Sequence, residues 1–127
     1  MSFKKYLLSL RETNMMEERP WGYFVILEDE LTHKVKRIVV NQGQRLSLQT
    51  HEKRDEMWYI LQGTALVTTG DHNDLMGPSS IVKIPRGVKH RIKNVGQDKV
   101  VFIEVQTGDY FGEDDIKRYS DDYGRTQ

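Results

Sequence analysis

Seven short runs rich in Val, Ile, Leu, Tyr and Thr follow one another between residues 34 and 106, and they constrain this chain more than any other feature. They are KVKRIVV (34–40), QRLSLQT (44–50), EMWYILQ (56–62), TALVTT (64–69), SIVKIP (80–85), KHRIKN (89–94) and KVVFIEVQ (99–106). Between them lie NQG, HEKRD, QG, GDHND, PRG and NVGQD. Apolar residues at helical spacing are nearly absent. Short strands at this spacing, bounded by Gly, Pro, Asn and Asp, predict an all-β sandwich or barrel. The two ends read differently. Residues 1–18 are expected to form an extension, a short helix or a docking strand. Residues 19–111 are the barrel, and 112–127 a tail with a short helical turn.

The chain has 127 residues, enough for one core but not two. Lys plus Arg and Asp plus Glu both number 19, for a formal net charge of zero, which argues against a general grip on nucleic acid or an anionic membrane. There is no cysteine, so disulfides, thiolate metal sites and a cysteine nucleophile are excluded. YLLSL near the start is too short for a secretory signal core, and no run approaches a membrane span. A soluble, cytoplasmic protein is the expectation.

SLQTHEKRDEMW, Ser47 to Trp58, is the stretch with chemistry in it. Residues two apart on a strand share a face. Ser47, Gln49 and His51 therefore point one way, and Leu46 and Leu48 the other. Glu56, Trp58 and Ile60 share a face in the next run, as do His90, Ile92 and Asn94 later. Gln49, His51, Glu56 and His90 converge if the strands pair suitably. On spacing alone, a metal site and a charged turn with unrelated polar residues are equally open. His33 and His72 read as exposed loop residues, Trp58 and Tyr59 as core and pocket wall, and Trp21 as an anchor at the barrel entry.

Gly43, Gln49, His51, Glu56 and Gly63 follow G-x5-Q-x-H-x4-E-x6-G, and Pro85, Gly87, His90 and Asn94 follow P-x-G-x2-H-x3-N. Together they resemble the two motifs of the cupin family, a double-stranded β-helix or jelly-roll barrel. Gln49 stands where the usual first motif has a histidine. The second motif asks for glycine at Ser79, and the nearest glycine is Gly77. RPWG, KVKRI, LSLQ-x-H, PxGxxHR and VQ-x-G-x-Y-x-GEDDI narrow the likeness to the cupin domain of type II phosphomannose isomerases, usually the C-terminal part of a protein that also carries a mannose-1-phosphate guanylyltransferase. The chain has no room for that second domain.

The resemblance implies a barrel that interconverts mannose 6-phosphate and fructose 6-phosphate through an enediol, with a separate guanylyltransferase as a possible partner. A homodimer is expected because an open small barrel often covers an edge by pairing. It implies Gln49, His51, Glu56 and His90 as ligands of a divalent ion. Two imidazoles, a carboxylate and an amide oxygen suit Zn first, then Mn, Fe, Co or Ni. Lys36, Glu104 and Arg91 are the expected catalytic side chains, with Glu104 or Lys36 as the base. Arg37, Arg45, Gln106, Glu113 and Asp114 are expected to bind substrate. Arg91 and Arg37 lead the candidates for the phosphate, ahead of Arg45, Lys36 and Lys89. Only one of Lys36 and Arg37 can face inward. The sequence departs from the family's LSLQMHHHRAEHW at Glu52, Lys53 and Met57. If a histidine at one of those positions moves the proton in relatives, this chain is slow, altered in substrate or inactive. Isomerisation or epimerisation of another phosphorylated or nucleotide-linked sugar, and a non-catalytic sugar-binding cupin, are the rival readings.

Overall fold

The computed structural model of the chain describes Ser2 and residues 15–125. Eleven strands form: β1 (Met16–Arg19), β2 (Gly22–Asp29), β3 (His33–Val40), β4 (Leu48–His51), β5 (Arg54–Gln62), β6 (Ala65–Thr69), β7 (His72–Met76), β8 (Ile81–Ile84), β9 (His90–Asn94), β10 (Val100–Gly108) and β11 (Ile116–Ser120). They make two antiparallel sheets, ordered β1-β2-β3-β10-β5-β8 and β11-β4-β9-β6-β7. This is the expected all-β double-stranded barrel. No described helix is long and apolar enough to cross a membrane.

Each of the seven expected runs contains a strand. β2 and β7 were not among them. GDHND reads as a break, but only Gly70 and Asp71 turn, and His72 already pairs with Thr69. The segment after residue 112 is more than a tail. A single 3-10 turn (Glu113–Asp115) leads into β11, which closes the second sheet against β4. Of the expected 1–18 extension, residues 1 and 3–14 lie outside the described residues, and Met16–Glu18 belong to β1, which pairs with β2.

Alternation along the strands decides what fills the space between the sheets. On β5, Arg54, Glu56, Trp58 and Ile60 are buried while Asp55, Met57 and Tyr59 are exposed. On β10, Val100, Phe102, Glu104 and Gln106 are buried, and on β3 so are Lys36, Ile38 and Val40. The register aligns Phe102 with Ile38 and Ile60, and Glu104 with Lys36 and Trp58. The interior is therefore layered. One end is apolar, built from Ile38, Val40, Ile60, Val67, Ile92, Val100 and Phe102. The other end buries Lys36, Arg54, Glu56, Glu104, Gln106, His51 and His90. Burying a charge costs several kcal/mol unless it is paired, so this polar end marks a site rather than a core.

Two turns depend on their backbone. Gly87, at φ +78° in the Pro85–Gly87 turn, donates its N–H to the His51 carbonyl at 2.8 Å and delivers the chain to His90. Ser79, where the family pattern asks for glycine, has φ +71°. That left-handed conformation costs a non-glycine residue about 1–2 kcal/mol.

Candidate metal centre

The β4–β5 turn and the start of β9 bring His51, Glu56 and His90 together. The Nε2 atoms of His51 and His90 lie 3.1 Å apart. His51 Nε2 is 3.0 Å from one Glu56 oxygen, and His90 Nε2 is 3.8 Å from the other. All three residues are buried, and each offers a donor atom within 4.8 Å of the others. His90 Nδ1 lies 2.9 Å from the Val88 carbonyl. A carbonyl only accepts, so Nδ1 carries the proton and the Nε2 lone pair faces the cluster. Fixing a ligating imidazole through its other nitrogen is the usual arrangement at a metal. His51 Nδ1 has no hydrogen-bond partner among the described residues. Gln49 sits in register with His90 and lines the same cavity. Its amide nitrogen donates to Ser47 Oγ at 2.9 Å, which leaves the amide oxygen as the donor for an ion. Two imidazoles, a carboxylate and an amide oxygen fit a borderline divalent ion.

Around this cluster the charges are paired closely. The Trp58 indole N–H lies 3.1 Å from both Glu56 and Glu104, bridging the two carboxyl groups. Gln106 donates to Glu104 at 2.9 Å. Burial, and then the neighbouring Glu56 charge, push Glu104 up to about 8. Burial pushes Glu56 up too, but hydrogen bonds from His51 and Glu104 and the nearby imidazoles outweigh it and hold Glu56 well below the usual carboxylate range. Burial pulls His90 down. Lys36 Nζ lies 4.0 Å above the Phe24 ring and 3.1 Å from Glu113 Oε1. Sequence reasoning missed Arg54, which is 3% exposed. Its Nε donates to Glu56 at 3.0 Å, and its Nη2 is 3.4 Å from His51 Nε2. The signal was available: Arg54 is two residues before Glu56 and shares its face.

The expected residues divide. Lys36, Gln49, Glu56, His90, Arg91, Glu104 and Glu113 line one cavity, beside Trp21, Phe24 and Trp58. The other expected substrate-binding residues do not line it. Lys36 takes the inward position, so Arg37 falls on the opposite face of β3, near Tyr23. Arg45 is held outside by both oxygens of Asp122, at 2.7 and 2.8 Å. Gln106 lies wholly behind Glu104. Asp114 accepts from Tyr110 on the surface, and Lys89 lies over Tyr119. Asp115 accepts the Lys53 backbone N–H at 3.0 Å and pins the β4–β5 turn. Arg91 alternates outward as its parity requires, yet its guanidinium curls back along the mouth to the Leu46 and Ser120 carbonyls, at 2.9 and 3.0 Å. Glu52, Lys53 and Met57, where the sequence departs from its family, are all exposed and none lines the cavity.

Residues 9–121 match the family model described as mannose-6-phosphate isomerase C-terminal. The xanthan biosynthesis protein XanB of Xanthomonas campestris is 48% identical over 108 residues, 85% of this chain but 23% of that protein. Mannose-1-phosphate guanylyltransferase 2 of Escherichia coli O157:H7 is 43% identical over 105 residues, 83% of this chain and 22% of the relative. The chain thus spans less than a quarter of the length of these relatives. Among solved structures, the Cnp3 cupin domain of Schizosaccharomyces pombe superposes with a TM-score of 0.65 at 23% identity, covering 68% of this chain and 64% of that one. With a cupin barrel around a buried His–Glu–His cluster, and a family match across nearly its whole length, the chain belongs to the mannose-6-phosphate isomerase C-terminal family.

Proposed function

We propose that the chain is a metal-dependent aldose–ketose isomerase that interconverts mannose 6-phosphate and fructose 6-phosphate. The observation that carries this reading is a single cavity lined by Gln49, Glu56 and His90 together with a second buried carboxyl, Glu104, and a buried amine, Lys36. Gln49, His51, Glu56 and His90 would hold a divalent ion, Zn first among the candidates. When bound, it supplies a Lewis acid for the sugar carbonyl and its neighbouring hydroxyl.

The side chains do the rest. Glu104 is the base in its ionised form, and the burial that raises it to about 8 makes that form the stronger proton acceptor. Its carboxylate takes the C2 proton of the aldose as the C1=C2 bond of the enediol forms and the C1=O pair moves to O1. O1 takes the proton that O2 gives up as C2=O forms, and Glu104 returns its proton to C1. Trp58 and Gln106 hold Glu104 in place through hydrogen bonds at 3.1 and 2.9 Å. Lys36 supplies positive charge on the same wall, opposite Glu104 in the β3–β10 register. Trp21, Phe24 and Trp58 wall the site with apolar surface, which keeps water from the enediol. The exposed positions of Glu52, Lys53 and Met57 support activity without the family's extra histidines. The kinship with a xanthan biosynthesis protein supports a place in polysaccharide sugar supply, and the guanylyltransferase relatives support a separate guanylyltransferase as partner; a cytoplasmic homodimer completes the proposal.

Purified protein loaded with Zn, Mn or Co and given mannose 6-phosphate is expected to yield fructose 6-phosphate in a coupled assay. Folded, metal-loaded protein that turns over with none of these ions would overturn the isomerase reading in favour of a binding cupin. The double variant Gln49→Ala/His51→Ala is expected to lose both metal and turnover. Full turnover in that variant rules out the metal mechanism.

A further inference from the structure

The residue just before β4 takes no part in the proposed isomerisation, yet it is buried against an expected metal ligand. Ser47 is 1% exposed and lines the same cavity as Gln49, Glu56 and His90. Both of its oxygens face one side chain. The Gln49 amide nitrogen donates to Ser47 Oγ at 2.9 Å and lies 3.4 Å from the Ser47 carbonyl oxygen.

Among the expected ligands, Gln49 is the one whose direction the sheet fixes least. His51, Glu56 and His90 are buried, and Gln49 is only half-buried. On one side, β4 meets β9 only at the Gln49–His90 pair. On the other, Gln49 is in register with Arg118 of β11, which lines the same cavity, and the register shifts just beyond that pair. Glutamine is among the side chains that lose most rotamer freedom when ordered. Its orientation therefore has to come from a side-chain contact.

An amide has a further ambiguity. Its two ends have nearly the same shape, but only the oxygen can bind a cation. Which end faces the ion is decided by the partners of the other end. A hydroxyl can give or take a hydrogen bond, so Ser47 Oγ alone would suit either end. The Ser47 carbonyl only accepts, and it selects the nitrogen. The shorter bond to Oγ then holds the nitrogen there, which leaves the oxygen for the ion.

Ser47 is itself tied to both neighbouring strands. The Leu46 N–H donates to the Ile92 carbonyl of β9 at 3.0 Å, and the Leu46 carbonyl accepts from Arg91 Nε at 2.9 Å. Leu48, on its other side, pairs with Ser120 of β11.

We infer that Ser47 is a positioning residue, which turns the amide oxygen of Gln49 to the ion and so sets the affinity of the centre. The inference rests on the metal reading of the ligand cluster, but not on isomerisation. It also explains what a glutamine demands in a place where the wider cupin pattern has a histidine. An imidazole can ligate through either ring nitrogen. An amide can ligate at one end alone, so it needs a neighbour to direct it.

Zinc affinity of the full chain, measured by competition with a chelator, tests this without any turnover. Ser47→Ala is expected to bind zinc at least about tenfold more weakly than wild type, the scale of losing an outer partner of a metal ligand. Gln49→Ala is expected to lose at least as much. In Gln49→Ala, the further change Ser47→Ala should cost nothing more, because the side chain through which Ser47 acts is gone. A tenfold loss that persists in the Gln49→Ala background would make Ser47 a general support of the barrel and overturn the inference. Zinc bound by Ser47→Ala as tightly as by wild type would overturn it too. If Ser47→Ala does not fold, Ser47→Gly also lacks the hydroxyl, and the same outcomes decide. Wild type that binds no zinc overturns the metal reading and this inference together. A loss that runs through Gln49, with no isomerase turnover in wild type, supports the inference and removes the isomerase reading alone.

Discussion

The two walls of the cavity are built to different standards. On one side β3, β10 and β5 pair without interruption from Val105 down to Phe102, and Lys36, Glu56, Glu104 and Gln106 are each no more than 6% exposed. On the other, β4 touches β9 at the single pair Gln49–His90, and Gln49, Arg91 and Arg118 are only half-buried. Glu104, the base under the proposed function, sits on the continuous wall, and the half-buried arginines Arg91 and Arg118 sit on the interrupted one. The contrast teaches that a barrel which pairs its two sheets unequally can keep one wall of a cavity dry and leave the other within reach of solvent.

The largest effect should come from the continuous wall. Glu104→Gln is expected to lower turnover by about 10²–10⁴-fold with bound metal retained, read by steady-state kinetics and metal analysis of the same sample. Metal lost in parallel would mean that Glu104 acts by holding Glu56, and the division between the walls would blur. Next is Trp58→Phe, which removes the N–H shared by Glu56 and Glu104 and is expected to cost about 1–3 kcal/mol of unfolding free energy, read from denaturant melts.

A change outside both walls supplies the reference. Ser79→Gly relieves a left-handed residue and is expected to stabilise by about 1 kcal/mol without altering metal content. No gain in the chemical melt would mean that the turn carries no strain.

The smallest effect is at the rim. Burial pushes Glu113 up, but Lys36 outweighs it and leaves the carboxyl below its usual pKa. A lowered carboxylate pKa means stability present above the ordinary carboxylate range and lost as pH falls through the folded value. Glu113 is 45% exposed, so solvent screening keeps the pair's worth under about 1 kcal/mol. The melting-temperature gap between wild type and Glu113→Gln should be constant at neutral pH and close in acid. A gap that widens in acid would contradict this sign.

Legibility in the sequence followed the reach of the cause. The barrel was legible because alternation and turn residues act locally, and β5, with Arg54, Glu56, Trp58 and Ile60 in and Asp55, Met57 and Tyr59 out, is the clear case. The shared face of His90, Ile92 and Asn94 has the same origin. Lys36 and Arg37 were indistinguishable because parity says that neighbours oppose, not which one faces in. That choice is made by the pairing of Lys36 with Glu104 across β10. β7 was hidden because HNDLM is an outer-edge strand, nearly all exposed, with little apolar residue to mark it. Arg118 and Arg125 were hidden for a longer-range reason. Their place depends on β11 pairing with β4, nearly seventy residues earlier, and no local pattern encodes that. Arg45 looked available for substrate until Asp122, from the same distant segment, claimed it.

The late position of β11 also bears on how the protein is made. Every residue of the metal cluster, and Glu104 with it, is synthesised before Ile116. The sheet edge at β4 then waits for a partner from the end of the chain, and that closure carries the entropic cost of a long loop. A molecule in which β11 fails to seat keeps its histidines, its carboxylates and most of its core, while the wall that bears Arg118 is missing. Such damage would pass an assay for overall fold and would show only where that wall of the cavity is probed.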